Sequence, residues 1–465
     1  MRKFAILFLL IIVSFTTILS QDNVVITGNA VGKANKLVRI IVYSDLFSGA
    51  KYTLAETRTN SEGSFSINLK TNKTQFAFLA FELEKGEFYL SPDSEYNFSL
   101  NLNNSNNGSI FDRLPLNFSL TAKDGGIQNQ IEEFNISYNN FIYNNVNSIY
   151  KGRNKTKITD FTDSIRTIFS NKKSEYIVNY AEYSLASLLW LSKVDNDKSI
   201  LRNYFINRPV LYSNIQYVDF FKEFFNSYFD SENIYSYNEL MIAVNSRSIS
   251  VLDDLLSQDS LLSQDNRVRE IVAMLLLSRN YHNRDVKKDR IISLLESIAK
   301  NSAYTENKLI ARNFIVELGK LQNGSPAPDF NLFNNNDQLV KLNSFKGDFA
   351  LLCFVKDNCN ICNFQMEQIN DLKNEFDNKL QVVTIVAGNE TKKIATLSKE
   401  KGYNWSILRT DENIVLLEDY NVKTYPTYIL INPDGTIAYA TLPMPDEKMD
   451  FFIRRFMKSY NEKNN

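Results

Sequence analysis

Two of the three cysteines in this chain of 465 residues, Cys359 and Cys362, are separated by two residues. Cysteines at this spacing occur in zinc sites, in structural disulfides and in dithiols that open and close reversibly. A zinc site would need two further ligands, and the sequence has neither a second pair of this kind nor any histidine besides His282. The pair therefore favours thiol–disulfide exchange, in which a thiolate attacks a disulfide and a mixed disulfide forms.

The residues on either side of the cysteines predict a strand followed by a helix. Seven consecutive apolar residues, Phe349–Val355, indicate a strand that is buried on both faces. After Cys362, apolar residues recur as on one face of an amphipathic helix, at Met366, Ile369, Leu372 and Phe376. We therefore expect Cys359 at or just before the first turn of this helix, where free N–H groups and the helix dipole stabilise a thiolate. Such a setting lowers the pKa of a cysteine and suits a reversible dithiol.

The first 20 residues predict an export signal. Met1–Lys3 is basic, an apolar run covers Phe4–Leu19, and the small residue Ser20 precedes the expected cleavage point, which makes Gln21 the first mature residue. An uncleaved N-terminal anchor is the alternative. No other stretch reaches the length of about 18 apolar residues that a membrane span requires. The sequence therefore predicts a periplasmic or otherwise exported protein.

Composition narrows the class of protein further. The formal net charge is −1, which argues against nucleic acid as a partner. An exported chain of this size with only three cysteines is not stabilised by a framework of disulfides. The third cysteine, Cys353, lies inside the predicted buried strand, where we expect it to act as a small hydrophobic residue. His282 is expected at the surface.

After the signal segment 1–20, two regions are predicted to precede the cysteine-containing one. Short strands separated by Gly and Asn turns over residues 24–122 indicate an antiparallel β-sandwich. Residues 127–321 change to helical periodicity. Their aromatic segment Tyr217–Phe229 is expected to pack inside an α-helical domain; a peptide groove lined by these rings is the alternative.

Residues 324–465 predict an α/β domain, a mixed sheet with helices on both faces. The expected elements are strands 349–355, 380–387, 427–431 and 436–440, an extended piece 405–408, and helices 362–377, 390–401, 412–420 and 446–460. Tyr425 and Pro426 directly precede the third of these strands, where a proline cannot donate to the sheet. We expect a cis bond between them; a trans proline that begins the strand is the alternative.

Five short segments of the C-terminal domain match one known family. They are Gly324-Ser-Pro-Ala-Pro-Asp-Phe330, Ser344-Phe-Lys-Gly347, Cys359-Asn-Ile-Cys362, Tyr425-Pro-Thr427 and Asn432-Pro-Asp-Gly435. Through them, residues 324–465 resemble the thioredoxin-fold domain of the TlpA/ResA thiol-disulfide oxidoreductases. Residues 24–122 are similar to the β-sandwich that precedes such domains in exported proteins of the Bacteroidetes type.

The resemblance implies a thiol-disulfide oxidoreductase that needs no cofactor or metal and acts on protein thiols and disulfides. By matching position, Cys359 would be the attacking thiolate and Cys362 the resolving thiol. Pro426 would be a cis-proline against the disulfide, and Tyr425 would present its backbone to an extended substrate segment. A reductase of this type in an oxidising compartment would draw electrons from a membrane-bound reductant.

The sequence departs from the family at several positions near the cysteines. Asn358 stands where the family usually has tryptophan, and Asn360-Ile361 replaces a dipeptide that often contains proline. Cys353 stands where thioredoxin keeps a buried carboxylate. Asp357 and Glu367 are the acids nearby in the sequence, but no motif assigns either of them a position in the site. These departures leave the direction of exchange open among reductase, oxidase and isomerase.

Two other functions compete with this interpretation. A peroxiredoxin shares the proline-containing arm, but it requires a threonine three residues before its reactive cysteine, where this chain has Lys356. A binding protein whose degenerate thioredoxin module only docks partners is the non-enzymatic alternative.

Overall fold

A computed structural model of the protein describes residues 23–102, 115–122, 126–232, 235–356, 359–376, 379–388, 396, 398–410 and 413–464. The predicted export signal, residues 1–20, lies outside this part of the chain. The described part consists of an N-terminal β-rich region, a helical middle and a C-terminal sheet with helices, which confirms the predicted fold class. None of its helices combines the length and the apolar character that crossing a bilayer requires.

The N-terminal region is a sandwich of two four-stranded sheets. Its strands are β1 (Asn23–Asn29), β2 (Leu37–Tyr43), β3 (Lys51–Arg58), β4 (Ser64–Lys70), β5 (Gln75–Phe81), β6 (Glu84–Leu90), β7 (Glu95–Leu100) and β8 (Phe118–Ala122). The sheet orders are β4-β1-β7-β8 and β3-β2-β5-β6, and side chains from both sheets share one core. β1 and β7 pair in parallel, whereas the sequence predicted antiparallel sheets. These two strands are far apart in the chain, so no hairpin turn reveals their direction.

The middle region is a set of packed helices. They are α1 (Gly126–Tyr150), α2 (Lys155–Phe169), α3 (Glu175–Leu191), α4 (Asp197–Ile200), α5 (Ile215–Glu232), α6 (Tyr237–Asn245), α7 (Ile249–Leu256), α8 (Asn266–Asn280), α9 (Lys288–Asn301) and α10 (Thr305–Gly319). A π-helical turn, Leu201–Phe205, follows α4. The aromatic side chains of α5, such as Tyr217, Phe221 and Phe224, are buried in the core of this region. Their predicted packing role is confirmed.

The C-terminal region is built on a seven-stranded mixed sheet. Its strands are β9 (Asn331–Asn334), β10 (Leu339–Lys341), β11 (Phe349–Lys356), β12 (Leu380–Ala387), β13 (Ser406–Arg409), β14 (Thr427–Ile431) and β15 (Ile437–Tyr439), and its helices are α11 (Asn360–Phe376), α12 (Ile414–Asp419) and α13 (Met449–Asn464). The strand order is β10-β9-β13-β12-β11-β14-β15. β11 is central, parallel to β12 and antiparallel to β14, and a separate apolar core covers each face of the sheet.

Most element positions in this region agree with the prediction, and two differ. The last helix begins at Met449 rather than 446, because Pro445–Glu447 forms a 3-10 turn and Lys448 adopts a left-handed conformation with φ 68°. The extended piece predicted at 405–408 is the strand β13, which joins the sheet beside β12. The predicted helix 390–401 falls largely outside the described residues.

The C-terminal region contacts both upstream regions through α12. Ile414 lies in a buried cluster with Ile41 of the sandwich and with side chains of α1 and α3. Glu418 forms ion pairs with Lys85 and Lys51 of the sandwich. The three regions are therefore in direct contact at a point that precedes the segment with Tyr425 by only a few residues.

Candidate active site

Cys359 and Cys362 form a disulfide where β11 passes into α11. The two sulfur atoms are 2.11 Å apart and the two Cα atoms 5.2 Å apart. β11 is buried along Phe349–Val355, and Cys362 lies in the first turn of α11 with its side chain buried. The predicted strand, the predicted helix and the position of the pair between them are confirmed.

Backbone N–H groups at the start of α11 point toward Cys359. The N–H of Cys362 donates to Sγ of Cys359 at 3.2 Å, and the N–H of Asn363 donates to the carbonyl oxygen of Cys359 at 3.1 Å. The sulfur thus takes the place that a side-chain oxygen occupies in a helix N-cap. Because the Cys362 N–H and the helix dipole favour negative charge, they would stabilise the thiolate that forms when the disulfide opens.

The two cysteines differ in their access to solvent. Cys359 keeps 4% of its surface exposed, whereas Cys362 keeps none. Both belong to a buried cluster that includes Val355, Met366, Val386, Tyr403 and Ile407. An incoming group can therefore reach Cys359 only, through a small opening.

The bond between Tyr425 and Pro426 is cis, as predicted. Thr427, the next residue, begins β14 and pairs with Phe354 near the end of β11. Since β11 and β14 are antiparallel neighbours, the start of β14 and the end of β11 lie at the same edge of the sheet. Tyr425 packs against the cluster that contains the disulfide. The cis-proline segment and the cysteine pair are thus brought to one edge.

Cys353 lies in the interior of β11, on the strand that leads to the disulfide. It is 1% exposed, and burial raises the pKa of its thiol well above the ordinary value. This confirms the prediction that it behaves as a small hydrophobic residue. Of the two acids near the pair in sequence, Glu367 is exposed and forms an ion pair with Lys401 at 2.7 Å, and Asp357 lies outside the described residues.

The single histidine takes no part in this arrangement. His282 is exposed just after α8, where its ring meets the edge of the Tyr281 ring, so it is the surface residue that the sequence predicted. Within the described ranges, no group of three or more His, Cys, Asp or Glu side chains is placed to hold a metal ion.

Comparison with known proteins identifies the C-terminal region. Residues 323–440 match the model of the AhpC/TSA family. The chain is 28% identical over 131 residues to the thiol-disulfide oxidoreductase ResA of Bacillus subtilis, a match that covers 28% of this chain and 72% of ResA. It is 30% identical over 120 residues to the thioredoxin-like protein YneN of Bacillus subtilis, with 25% of this chain and 69% of YneN covered. The chain belongs to the thioredoxin-like thiol-disulfide oxidoreductases.

Two of the solved structures similar to this oxidoreductase are from Bacteroides species. The thioredoxin domain of a thiol-disulfide oxidoreductase from Bacteroides vulgatus is 23% identical, with a TM-score of 0.27 and coverage of 29% of this chain and 97% of that chain. A thioredoxin-like protein from Bacteroides caccae is 15% identical, with a TM-score of 0.29 and coverage of 50% of this chain and 92% of that chain.

Two apolar side chains of the oxidoreductase, neither of them predicted as a site residue, are exposed near the disulfide in the sequence. Ile361 lies between the cysteines, and Phe364 lies two residues after Cys362. The helical pattern contains the signal for both, because the buried face of α11 runs through Cys362 and Met366 and leaves these two positions outside it. They give the edge around Cys359 an apolar surface.

Two stacked aromatic rings behind the cysteines were also missed. Tyr403 and Trp405 stack with ring centroids 4.5 Å apart, and Trp405 Nε1 donates to Oγ1 of Thr384 at 2.9 Å. The Tyr403 hydroxyl is buried and has no hydrogen-bond partner among the described residues. Burial, with Glu367 and Asp371 nearby, raises the pKa of Tyr403. The packing of Tyr403 in the same cluster as Cys359 and Cys362 joins positions some 40 residues apart in the sequence, so no local pattern predicts it.

Proposed function

We propose that this protein exchanges its Cys359–Cys362 dithiol or disulfide with the thiols and disulfides of other proteins. The observation that carries the proposal is the meeting of the disulfide and the cis Tyr425–Pro426 bond at one sheet edge. The family name of the curated relatives, thiol-disulfide oxidoreductase, supports the same chemistry. Residues 24–122 and 127–321 carry no redox pair of their own, since all three cysteines lie in the C-terminal region.

The reaction begins with the reduced pair. The Cys359 thiolate attacks one sulfur of a substrate disulfide, the substrate S–S bond breaks, and the other substrate sulfur leaves as a thiolate that takes up a proton. The resulting mixed disulfide joins Cys359 to the substrate. Cys362 then loses its proton and attacks Cys359, which releases the second substrate thiol and closes the intramolecular disulfide. Two electrons pass from the pair to the substrate, and the reverse sequence oxidises a substrate dithiol.

The assignment of roles to the two cysteines follows from access and from hydrogen bonding. Cys359 has the only exposed surface of the pair and accepts the N–H of Cys362, so it is suited to meet a substrate as a thiolate. Cys362 is fully buried in the first turn of α11, with its sulfur bonded to that of Cys359. In this scheme the backbone of Tyr425 receives an extended substrate segment beside Pro426.

The proposed setting is an exported one, the periplasm. It is supported by the basic residues and the apolar run of segment 1–20. In an oxidising compartment a reductase needs a continuing supply of electrons. We infer a membrane-bound dithiol reductant as that source, acting on the same disulfide.

Reduction of insulin disulfides by the purified protein, with dithiothreitol as electron donor, tests the proposal. We expect the wild-type protein to accelerate the reaction, Cys359→Ser to give only the rate of dithiothreitol alone, and the control Cys353→Ala to retain the wild-type rate. The control is suitable because Cys353 is buried away from the exchanging pair. Equal inactivity of the wild type and Cys359→Ser would overturn the enzymatic proposal.

A docking protein that does not catalyse exchange is the second candidate. The observation that favours it is the small exposure of Cys359, 4% of its surface, together with the apolar side chains of Ile361 and Phe364 around it. If this candidate is right, the insulin assay shows no acceleration, and the disulfide stays closed in redox buffers in which exchanging thioredoxin-like pairs open.

A peroxidase is a weaker candidate, although the matched family model is named AhpC/TSA. Lys356, three residues before Cys359, replaces the threonine that orients the peroxide in peroxiredoxins. The curated relatives are named as thiol-disulfide oxidoreductases or thioredoxin-like proteins. Peroxide consumption no faster than that of free thiols is the expected result.

A further inference from the structure

The longest helix of the described chain, α1, exposes a regular row of uncharged side chains. Ile136, Tyr143 and Tyr150 recur every seven residues and are 57%, 84% and 82% exposed. Asn139 and Val146, three residues after the first two, are also exposed and complete a 3-4 repeat. We call these five residues the α1 stripe. The opposite face of α1 is the buried one, formed by residues such as Ile131, Phe134 and Ile149.

The five residues of the α1 stripe are uncharged, and the charged residue of α1 on the same face is the exposed Glu132, one turn before Ile136. The 17 residues from Phe134 to Tyr150 contain no Asp, Glu, Lys or Arg, and six of them are asparagine. An exposed helix face in a monomer normally carries charged side chains. Depletion of charge together with enrichment in tyrosine is instead the composition of the centre of a protein–protein interface.

We propose that the α1 stripe is a self-association surface, through which two copies of this chain pair about a two-fold axis near Tyr143. A two-fold interface brings the same patch of each copy together, so a charged patch would repel itself. The uncharged stripe faces its own copy without such repulsion. Antiparallel pairing about Tyr143 sets Ile136 of one copy beside Tyr150 of the other, which places apolar side chains opposite each other along the seam.

The size of the surface agrees with a dimer. A helix of 25 residues is about 37 Å long, and the two tyrosines with Ile136 and Val146 offer on the order of 500 Å² of exposed side chain. A stable interface buries about 800 Å² on each partner. The stripe, with the asparagines that flank it, supplies most of that area, and their amides can hydrogen-bond across the seam.

Other partners fit this surface less well. A nucleic acid requires basic side chains, and an anionic membrane surface attracts helices with Lys and Arg on their polar face. The stripe has neither. A charged protein surface would form no ion pairs with this uncharged stripe. A second copy of the stripe is equally uncharged, so the two can pack without burying unpaired charges.

Sedimentation of the purified protein over a range of concentrations tests the proposal. We expect the wild type to sediment as a dimer, and Tyr143→Glu to raise the dissociation constant at least about 100-fold, because like charges would face each other across the axis. Ile242→Glu is the matched control, since Ile242 is an exposed apolar residue on α6, 67% exposed, outside the stripe. Thermal unfolding of each variant at low concentration checks that both remain folded.

A mixing experiment separates self-association from binding of another partner. Tyr143→Glu and Tyr143→Lys should each be monomeric alone, and an equimolar mixture should recover dimers, because opposite charges then meet near the axis. A wild type that stays monomeric up to about 100 µM, well above the micromolar range of weak specific complexes, would overturn the proposal. So would dissociation by Ile242→Glu as large as that by Tyr143→Glu, or a mixture that fails to recover dimers.

Discussion

Cys353 in the interior of β11 and Cys359 at the start of α11 are six residues apart, yet their thiols differ in solvent exposure and in hydrogen bonding. Cys353 is enclosed by the apolar core of the sheet, and burial raises the pKa of its thiol. Cys359 lies at the edge, keeps part of its surface exposed and accepts a helix N–H. Position in the fold, rather than the residue type, therefore decides which cysteine can exchange disulfides.

The largest expected difference between the two sites is in reactivity. In the protein reduced with dithiothreitol and freed of it, iodoacetamide at neutral pH should alkylate Cys359 at least about 100-fold faster than Cys353, because only the former is accessible and stabilised as a thiolate. Peptide mapping by mass spectrometry measures both rates. Comparable rates in the folded protein would remove the distinction between the two sites.

Serine substitutions should reveal a difference in stability. With the cysteine pair kept reduced, Cys353→Ser should lower the free energy of unfolding by about 1–3 kcal/mol, since it buries a hydroxyl without a good partner. Cys359→Ser should change it by no more than about 0.5 kcal/mol, because a serine hydroxyl can accept the same helix N–H. Urea denaturation measures both changes. An equal cost at the two positions would contradict the environments described.

The smallest expected effect is the pH dependence that Cys353 contributes. Below about pH 8.5 the thiol is protonated in both the folded and the unfolded chain. Above it the unfolded thiol loses its proton while the folded one, with its raised pKa, keeps it. The free energy of unfolding should therefore fall with rising pH, by up to about 1.4 kcal/mol per pH unit from this group.

Cys353→Ala provides the control for that dependence. Between pH 8.5 and 10, before tyrosines ionise in the unfolded chain, the variant should lose stability less steeply than the wild type. Chemical denaturation at each pH measures the slope. Identical slopes would show that Cys353 titrates alike in both states.

Local patterns in the sequence were sufficient to predict the strand and the helix that position Cys359 and Cys362. The apolar run of β11 and the periodicity of α11 placed the pair at a strand–helix junction, and the position of Pro426 before an apolar strand indicated its cis bond. These features depend on residues that are neighbours in the chain. The roles of the site residues, and the domain limits 24–122, 127–321 and 324–465, stay predictions.

Contacts between segments that are distant in the sequence could not be predicted from local patterns. The parallel pairing of β1 with β7, the packing of Tyr403 near the cysteines and the contact of α12 with the sandwich all join residues far apart in sequence. Each depends on how the regions pack rather than on local propensity. The exposure of Phe364, in contrast, could have been read from the helical pattern.

Trapping the mixed disulfide is the most direct test of the role proposed for Cys359. The reduced Cys362→Ser variant is incubated with insulin, quenched by acid and analysed by mass spectrometry under non-reducing conditions. We expect an insulin chain attached to Cys359 that dithiothreitol releases, since the resolving thiol is missing. No adduct, or an adduct at Cys353, would contradict it.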